Sequence, residues 1–206
     1  MFQNKSRVLR EDPPIHVHGE CLEDLSLAQV ERITFGMGQI AVNMDACDLP
    51  PKPKRAAMLA SLGFSNQSIA DKFRCGVAYI KQDILGNALR GLGVSKRSGL
   101  SRAFLDLGVY TIEQQGQPLS LSPHEEETVE LITCGLSNLA IANKLGLAES
   151  TIKGYLGEVS HKNYLRGRVE IGLAALLSGQ AGDYLPQLAL DTLENPPAIV
   201  APPTPT

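Results

Sequence analysis

The feature that most constrains this 206-residue chain is that a stretch of it occurs twice. LGFSNQSIADKFRCGVAYIK, from Leu62, lies ungapped over CGLSNLAIANKLGLAESTIK, from Cys134, at an offset of 72 residues. Gly63 meets Gly135, Ser65-Asn66 meets Ser137-Asn138, Ile69-Ala70 meets Ile141-Ala142, Lys72 meets Lys144, and Ile80-Lys81 meets Ile152-Lys153. Upstream, Leu49 and Pro51 meet Leu121 and Pro123; downstream, one extra residue in the first copy brings Val94 over Leu165 and Arg97 over Arg168. A repeated unit of this size predicts two small domains built alike, each burying a modest core.

The second copy shows what the unit folds into. Leu121-Ser122-Pro123, with Glu125 behind it, supplies a polar cap, a proline near the first helical position and acid at the positive helix end. That helix is expected to run to about Thr133, with Gly135 ending it. Ser137 then caps a short second helix through Leu145, whose Ile141, Ala142 and Leu145 face inward. Gly146-Leu147 makes a tight turn, because glycine enters a left-handed conformation at little cost. A third helix, about Ser150 to Lys162, buries Ile152, Leu156 and Val159 and leaves Thr151, Lys153, Gly154 and Tyr155 outward. Two helices joined by such a turn, the second with a polar N-terminal face, are a helix-turn-helix, and that face is the one that enters a major groove.

LSPHEEETVELITCGLSNLAIANKLGLAESTIK, with the later Leu165-Arg166-Gly167-Arg168, resembles the four-helix DNA-binding domain of LuxR/FixJ-type regulators, also called the GerE family. The first copy resembles it more distantly, keeping the Leu-x-Pro start, Gly-Phe-Ser-Asn, Ile-Ala, and a Gly-Leu-Gly-Val close at Gly91 to Val94. The expected fold is all-α, with two GerE-like helix-turn-helix domains in tandem. The resemblance implies that the third helix of each unit reads DNA. In the first unit the matching residues are Ala78, Tyr79, Lys81 and Gln82, with Arg90, Lys96 and Arg97 placed for phosphates; in the second they are Ser150, Thr151, Lys153, Gly154, Tyr155 and Lys162. Members of the family usually carry a receiver or ligand-binding domain ahead of the helix-turn-helix, and the segment before Leu49 is expected to be too short for either.

Charge separates the two copies. The chain as a whole has a formal charge of −3, which by itself argues against a polyanion binder. From Leu49 to Gly108, however, ten basic residues face only three acidic ones, Asp71, Asp83 and Asp106. From Leu121 to Gly179 five basic residues face seven acidic ones. DNA binding is therefore expected of the first unit, while the second either binds weakly, with Glu149 and Glu158 close to the phosphate path, or serves as a dimerisation and regulatory copy.

Around these units the expected organisation is a flexible arm over residues 1–22, an amphipathic helix over 23–48, the first domain over 49–108, a linker over 109–120, the second domain over 121–179 and a Pro-rich, mostly disordered tail over 180–206. The helix is read from Leu27, Val30, Thr34, Met37, Ala41 and Met44, which recur at alternating three- and four-residue steps. It either packs on its neighbour or forms a homodimer through residues 25–44.

Several functions are excluded or set aside. No Gly-rich phosphate loop, GxSxG or HExxH occurs, so no catalytic residue and no enzyme is expected. The four cysteines are scattered, and His16, His18 and Cys21 sit beside Pro13 and Pro14 without a preorganised ligand set, so neither metal nor cofactor is expected. No apolar run reaches a membrane span and no secretory signal opens the chain; the expected location is the cytoplasm, on the nucleoid. The expected partner is double-stranded DNA, and the function sequence-specific transcription regulation. Two alternatives stay open: a decoy or antiactivator that pairs with another LuxR-type regulator, and a sigma-like module that binds RNA polymerase.

Overall fold

The structure, a computed structural model, describes residues 15–18 and 32–182. It opens on a four-stranded antiparallel sheet in the order β1-β2-β3-β4, formed by β1 (Ile15–His18), β2 (Arg32–Phe35), β3 (Gly38–Val42) and the distant β4 (Tyr110–Gln114). The helices form two sets. The first comprises α1 (Pro51–Ser61), α2 (Asn66–Phe73), α3 (residues 77–91) and, after a 3-10 turn at Arg97–Gly99, α4 (Leu100–Asp106). The second comprises α5 (Pro123–Thr133), α6 (Asn138–Leu145), α7 (Glu149–Lys162) and α8 (Arg168–Leu177).

The sheet corrects three expectations. Residues 32–42 form a hairpin and not part of an amphipathic helix, which also removes a dimerisation helix over that stretch. The physical reason is a period of two that coexists with the helical stripe: Ile33, Phe35, Gly38 and Ile40 are buried and their neighbours are not. Gly36, at φ +58, opens a two-residue turn with Met37 between the paired residues Phe35 and Gly38, and β-branched and aromatic residues suit the strands on either side. Residues 110–114, expected as linker, pair with β3 because Tyr110 and Ile112 have apolar faces to bury. Residues 15–18, expected in the flexible arm, pair with β2. The fold is therefore helical with a sheet, not all-α. The remainder of the arm, residues 23–31 of the expected helix and residues 183–206 of the tail lie outside the described residues.

One hydrophobic core runs through the sheet and both helical sets. Ile33 and Ile40 are buried from the sheet side, where burial of each side chain contributes roughly 1.5–3 kcal/mol. The Tyr110 ring meets Phe104 of α4 edge-on at 5.1 Å, and its hydroxyl lies 2.6 Å from Ser61 Oγ at the end of α1. Gly38 approaches Leu177 of α8, and the Gly116 N–H donates to Leu177 O at 3.0 Å. The sheet thus clamps α4 and α8 together, and it leaves α3 and α7 away from that seam.

Candidate nucleic-acid interface

Each third helix is presented by the same local devices. In the second set Ser137 Oγ accepts the Ala140 N–H at 3.1 Å to start α6, and Gly146, at φ +67, ends it. The Leu147 N–H returns to Ala142 O at 2.9 Å, closing the turn into α7. In the first set Ser65 Oγ accepts the Ser68 N–H at 3.0 Å, and the left-handed position is held by Arg74 at φ 50. A non-glycine residue there is strained, so the turn is bought at some conformational cost in the first set and at almost none in the second.

An arginine then fixes the second helix from behind. The Arg97 guanidinium donates to Asn66 Oδ1 at 2.9 Å, to Ala60 O at 3.3 Å and to Phe64 O. Arg168 donates to Asn138 Oδ1 and Leu136 O in the equivalent places, and its Nε donates to Ser98 Oγ at 3.1 Å. Burial pulls both guanidinium groups below their ordinary value. Carbonyl acceptors at the end of the first helix and an amide at the start of the second suit a planar, multi-donor group, which a lysine would not replace. Arg97, placed at phosphates by the sequence reading, therefore points into its own unit. Its alignment with Arg168 was the signal: a basic residue shared by a basic and an acidic copy fits an internal role.

On α3, Ala78, Tyr79, Lys81, Gln82 and Arg90 are exposed along one outward surface, and Lys96 is exposed on the loop after it. Arg90 donates to Asn87 Oδ1 at 2.5 Å. Two further residues join this surface, unflagged by sequence reading. Lys52, at the start of α1, holds its ammonium 5.7 Å from the Tyr79 ring centroid, and Asp83 is exposed next to Gln82. The Leu-x-Pro start of α1 is plain in the sequence, but the proximity of Lys52 to α3 arises only in three dimensions.

The outward surface of α7 is different. Ser150, Lys153 and Gly154 are exposed and Thr151 is half-buried, but Lys153 pairs with Glu149 at 2.9 Å. Tyr155 is half-buried, its ring stacked on His124 with centroids 6.1 Å apart and planes 12° from parallel. Lys162 donates to the buried Glu125 carboxylate at 2.8 and 3.1 Å, and the Ser122 N–H donates to the same group at 2.7 Å. Burial pushes that carboxyl up; the bonds from Lys162 and Ser122 outweigh it and hold the group below its ordinary value. Three of the second set's expected DNA residues thus have partners inside the protein. His16 and His18 lie on β1, and Cys21 lies outside the described residues.

Residues 119–175 match the family described as bacterial regulatory proteins, luxR family, and form a GerE-type helix-turn-helix domain, the DNA-binding domain of transcription regulators. The chain is 35% identical over 54 residues to the two-component response regulator PprB of Pseudomonas aeruginosa, covering 26% of this chain and 20% of that protein. It is 40% identical over 52 residues to nodulation protein W of Bradyrhizobium diazoefficiens, covering 25% of this chain and 23% of that protein. The chain spans about a fifth of the length of these curated relatives. No solved structure matches it. Among the described residues no helix is long and apolar enough to cross a membrane.

Proposed function

We propose that this protein is a sequence-specific DNA-binding transcription regulator whose residues 49–108 and 121–179 act as two helix-turn-helix units, paired within one chain. The observation that carries the reading is the repeated staple, Arg97 on Asn66 and Phe64 O, Arg168 on Asn138 and Leu136 O, placed behind a third helix with an open polar surface. The two bonds that tie this arginine to the second helix and the turn before it in the family-matched set recur at the aligned residues of the other. The excess of positive charge lies on the first unit, where Lys52, Lys81, Arg90 and Lys96 are all exposed and available to phosphates and base edges.

The units also meet reciprocally. A Cβ on Gly63 of the first would lie 3.4 Å from Glu170 Cγ of the second, and a Cβ on Gly135 would lie 3.4 Å from Gly99 Cα. Gly63 aligns with Gly135 and Gly99 with Glu170, so residue i of one unit meets residue j of the other and the reverse also holds, the mark of a two-fold pairing. One chain then offers what a single-unit regulator obtains by forming a dimer.

A second reading, a decoy that pairs with another LuxR-type regulator, is favoured by one observation: Lys153 and Lys162 of the second unit are engaged by Glu149 and Glu125. Retention of fragmented genomic DNA by the purified protein at two salt concentrations, followed by sequencing, separates the two. A recovered motif whose retention falls steeply with salt supports the regulator; absence of any enriched sequence supports the decoy.

A further inference from the structure

The two outward helix surfaces are not copies of one another. The downstream one-residue slip in the repeat has a physical location: Ile80–Ile84 forms a π turn, in which the Leu85 N–H bonds to Ile80 O, five residues back. Ile80 and Leu85 are buried in α3 where Ile152 and Leu156 are buried in α7, and Ala88 is buried where Val159 is. Five residues therefore span in α3 what four span in α7, and the surplus residue emerges on the outer surface. Lys81, Gln82 and Asp83 are exposed in succession. In the second unit the matching surface offers Lys153, held by Glu149, then Gly154 and, one turn on, Gly157, around both of which there is open space.

Those side chains differ in what they can read. A glutamine amide supplies a donor and an acceptor matched to adenine N6 and N7, a lysine donates to guanine O6 and N7, and a carboxylate accepts from cytosine N4. Bare glycine presents no side-chain group to a base edge. A palindromic site would need equivalent readers on both units. Of the matched positions, Ala78 and Ser150, Tyr79 and Thr151, Gln82 and Gly154 all differ, and only Lys81 and Lys153 agree.

We infer that the two units read unequal half-sites: the first unit carries the base discrimination, with Gln82 beside the π turn as a specificity-determining residue, and the second docks on duplex DNA with little preference. The preferred site is thus non-palindromic. This rests on the DNA-binding reading above.

The test selects duplexes from a random-sequence pool with the full chain and with Gln82→Ala, whose exposed side chain can be shortened without touching the core. Single base changes in one half-site are expected to weaken binding about tenfold or more, and changes in the other less than about threefold. Gln82→Ala is expected to bring discrimination at one base pair of the sharp half-site to within about twofold while leaving the rest of the motif in place. A palindromic motif with equal penalties on both sides, or an unchanged motif with Gln82→Ala, overturns the inference. Retention of no duplex by either protein removes the DNA-binding reading itself, and the inference with it.

Discussion

Gly99 packs against Gly135 so closely that a Cβ on Gly99 would lie 3.0 Å from Gly135 Cα and 2.9 Å from Val94 Cγ1. The contact joins the start of α4 to the end of α5, beside the 3.0 Å bond from Ser95 Oγ to Gly135 O. Backbone lies on the far side of the clash and cannot swing away as a side chain tip would. Gly99→Ala is expected to destabilise the protein by about 1–3 kcal/mol, the usual cost of overpacking. Thermal denaturation checks it: at about 2–4 °C per kcal/mol for a chain of this size, a Tm within 1 °C of the wild type would contradict the packing described.

Arg97 is expected to matter for stability before it matters for DNA. Arg97→Ala leaves Phe64 O and Asn66 without their donor and is expected to cost about 2–3 kcal/mol, within the range for charged hydrogen bonds left partly unsatisfied. Arg97→Lys is expected to recover less than half of that, because an ammonium cannot span the same acceptors. Chemical denaturation of both variants gives the comparison; a lysine variant as stable as wild type would sink the staple.

Glu125 makes part of the stability depend on pH. Its folded-state value lies below the ordinary one of about 4.3, so its contribution is present above that value and is lost as pH falls through the folded-state value. Glu125→Gln is expected to be less stable at pH 7 and to lose less stability than the wild type between about pH 5 and 3. Parallel stability curves for the two proteins would contradict the Lys162 and Ser122 bonds as the cause.

On the proposed DNA face, Arg90→Ala is expected to weaken binding of all duplexes alike and to reduce its salt dependence, as loss of a phosphate contact does. Lys81→Ala is expected to weaken binding and relax base preference at its own position, by about 1–3 kcal/mol for the preferred base. Titrations against a preferred and a scrambled duplex separate the two; unchanged affinity for both variants would remove α3 from the interface.

Much of this arrangement was legible as sequence because it is local. The offset of 72 residues aligned the caps at Ser65 and Ser137 and the turn positions at Arg74 and Gly146, and the slip of one residue foreshadowed the π turn between Ile80 and Leu85. The sheet was hidden for the opposite reason. Its β3 pairs with Tyr110–Gln114, some seventy residues away, and Thr34, Met37 and Ala41 fall by chance at helical steps while Ile33, Phe35 and Ile40 obey the strand period that governs burial. The resemblance puts Arg97 at phosphates and Lys162 among the DNA residues; only the position of Phe64 O and of the Glu125 carboxylate shows where those charges are used.

Under the proposed function, one chain presents two helix-turn-helix units to one stretch of duplex. Hydroxyl-radical footprinting of the selected site, with the mass of the complex measured on the same sample, tests it most directly. Protection of about 20 base pairs on one face of the duplex by a single chain is the expected result, corresponding to two successive half-sites. Protection of a single half-site by one chain, or of the same 20 base pairs by two chains, would contradict it.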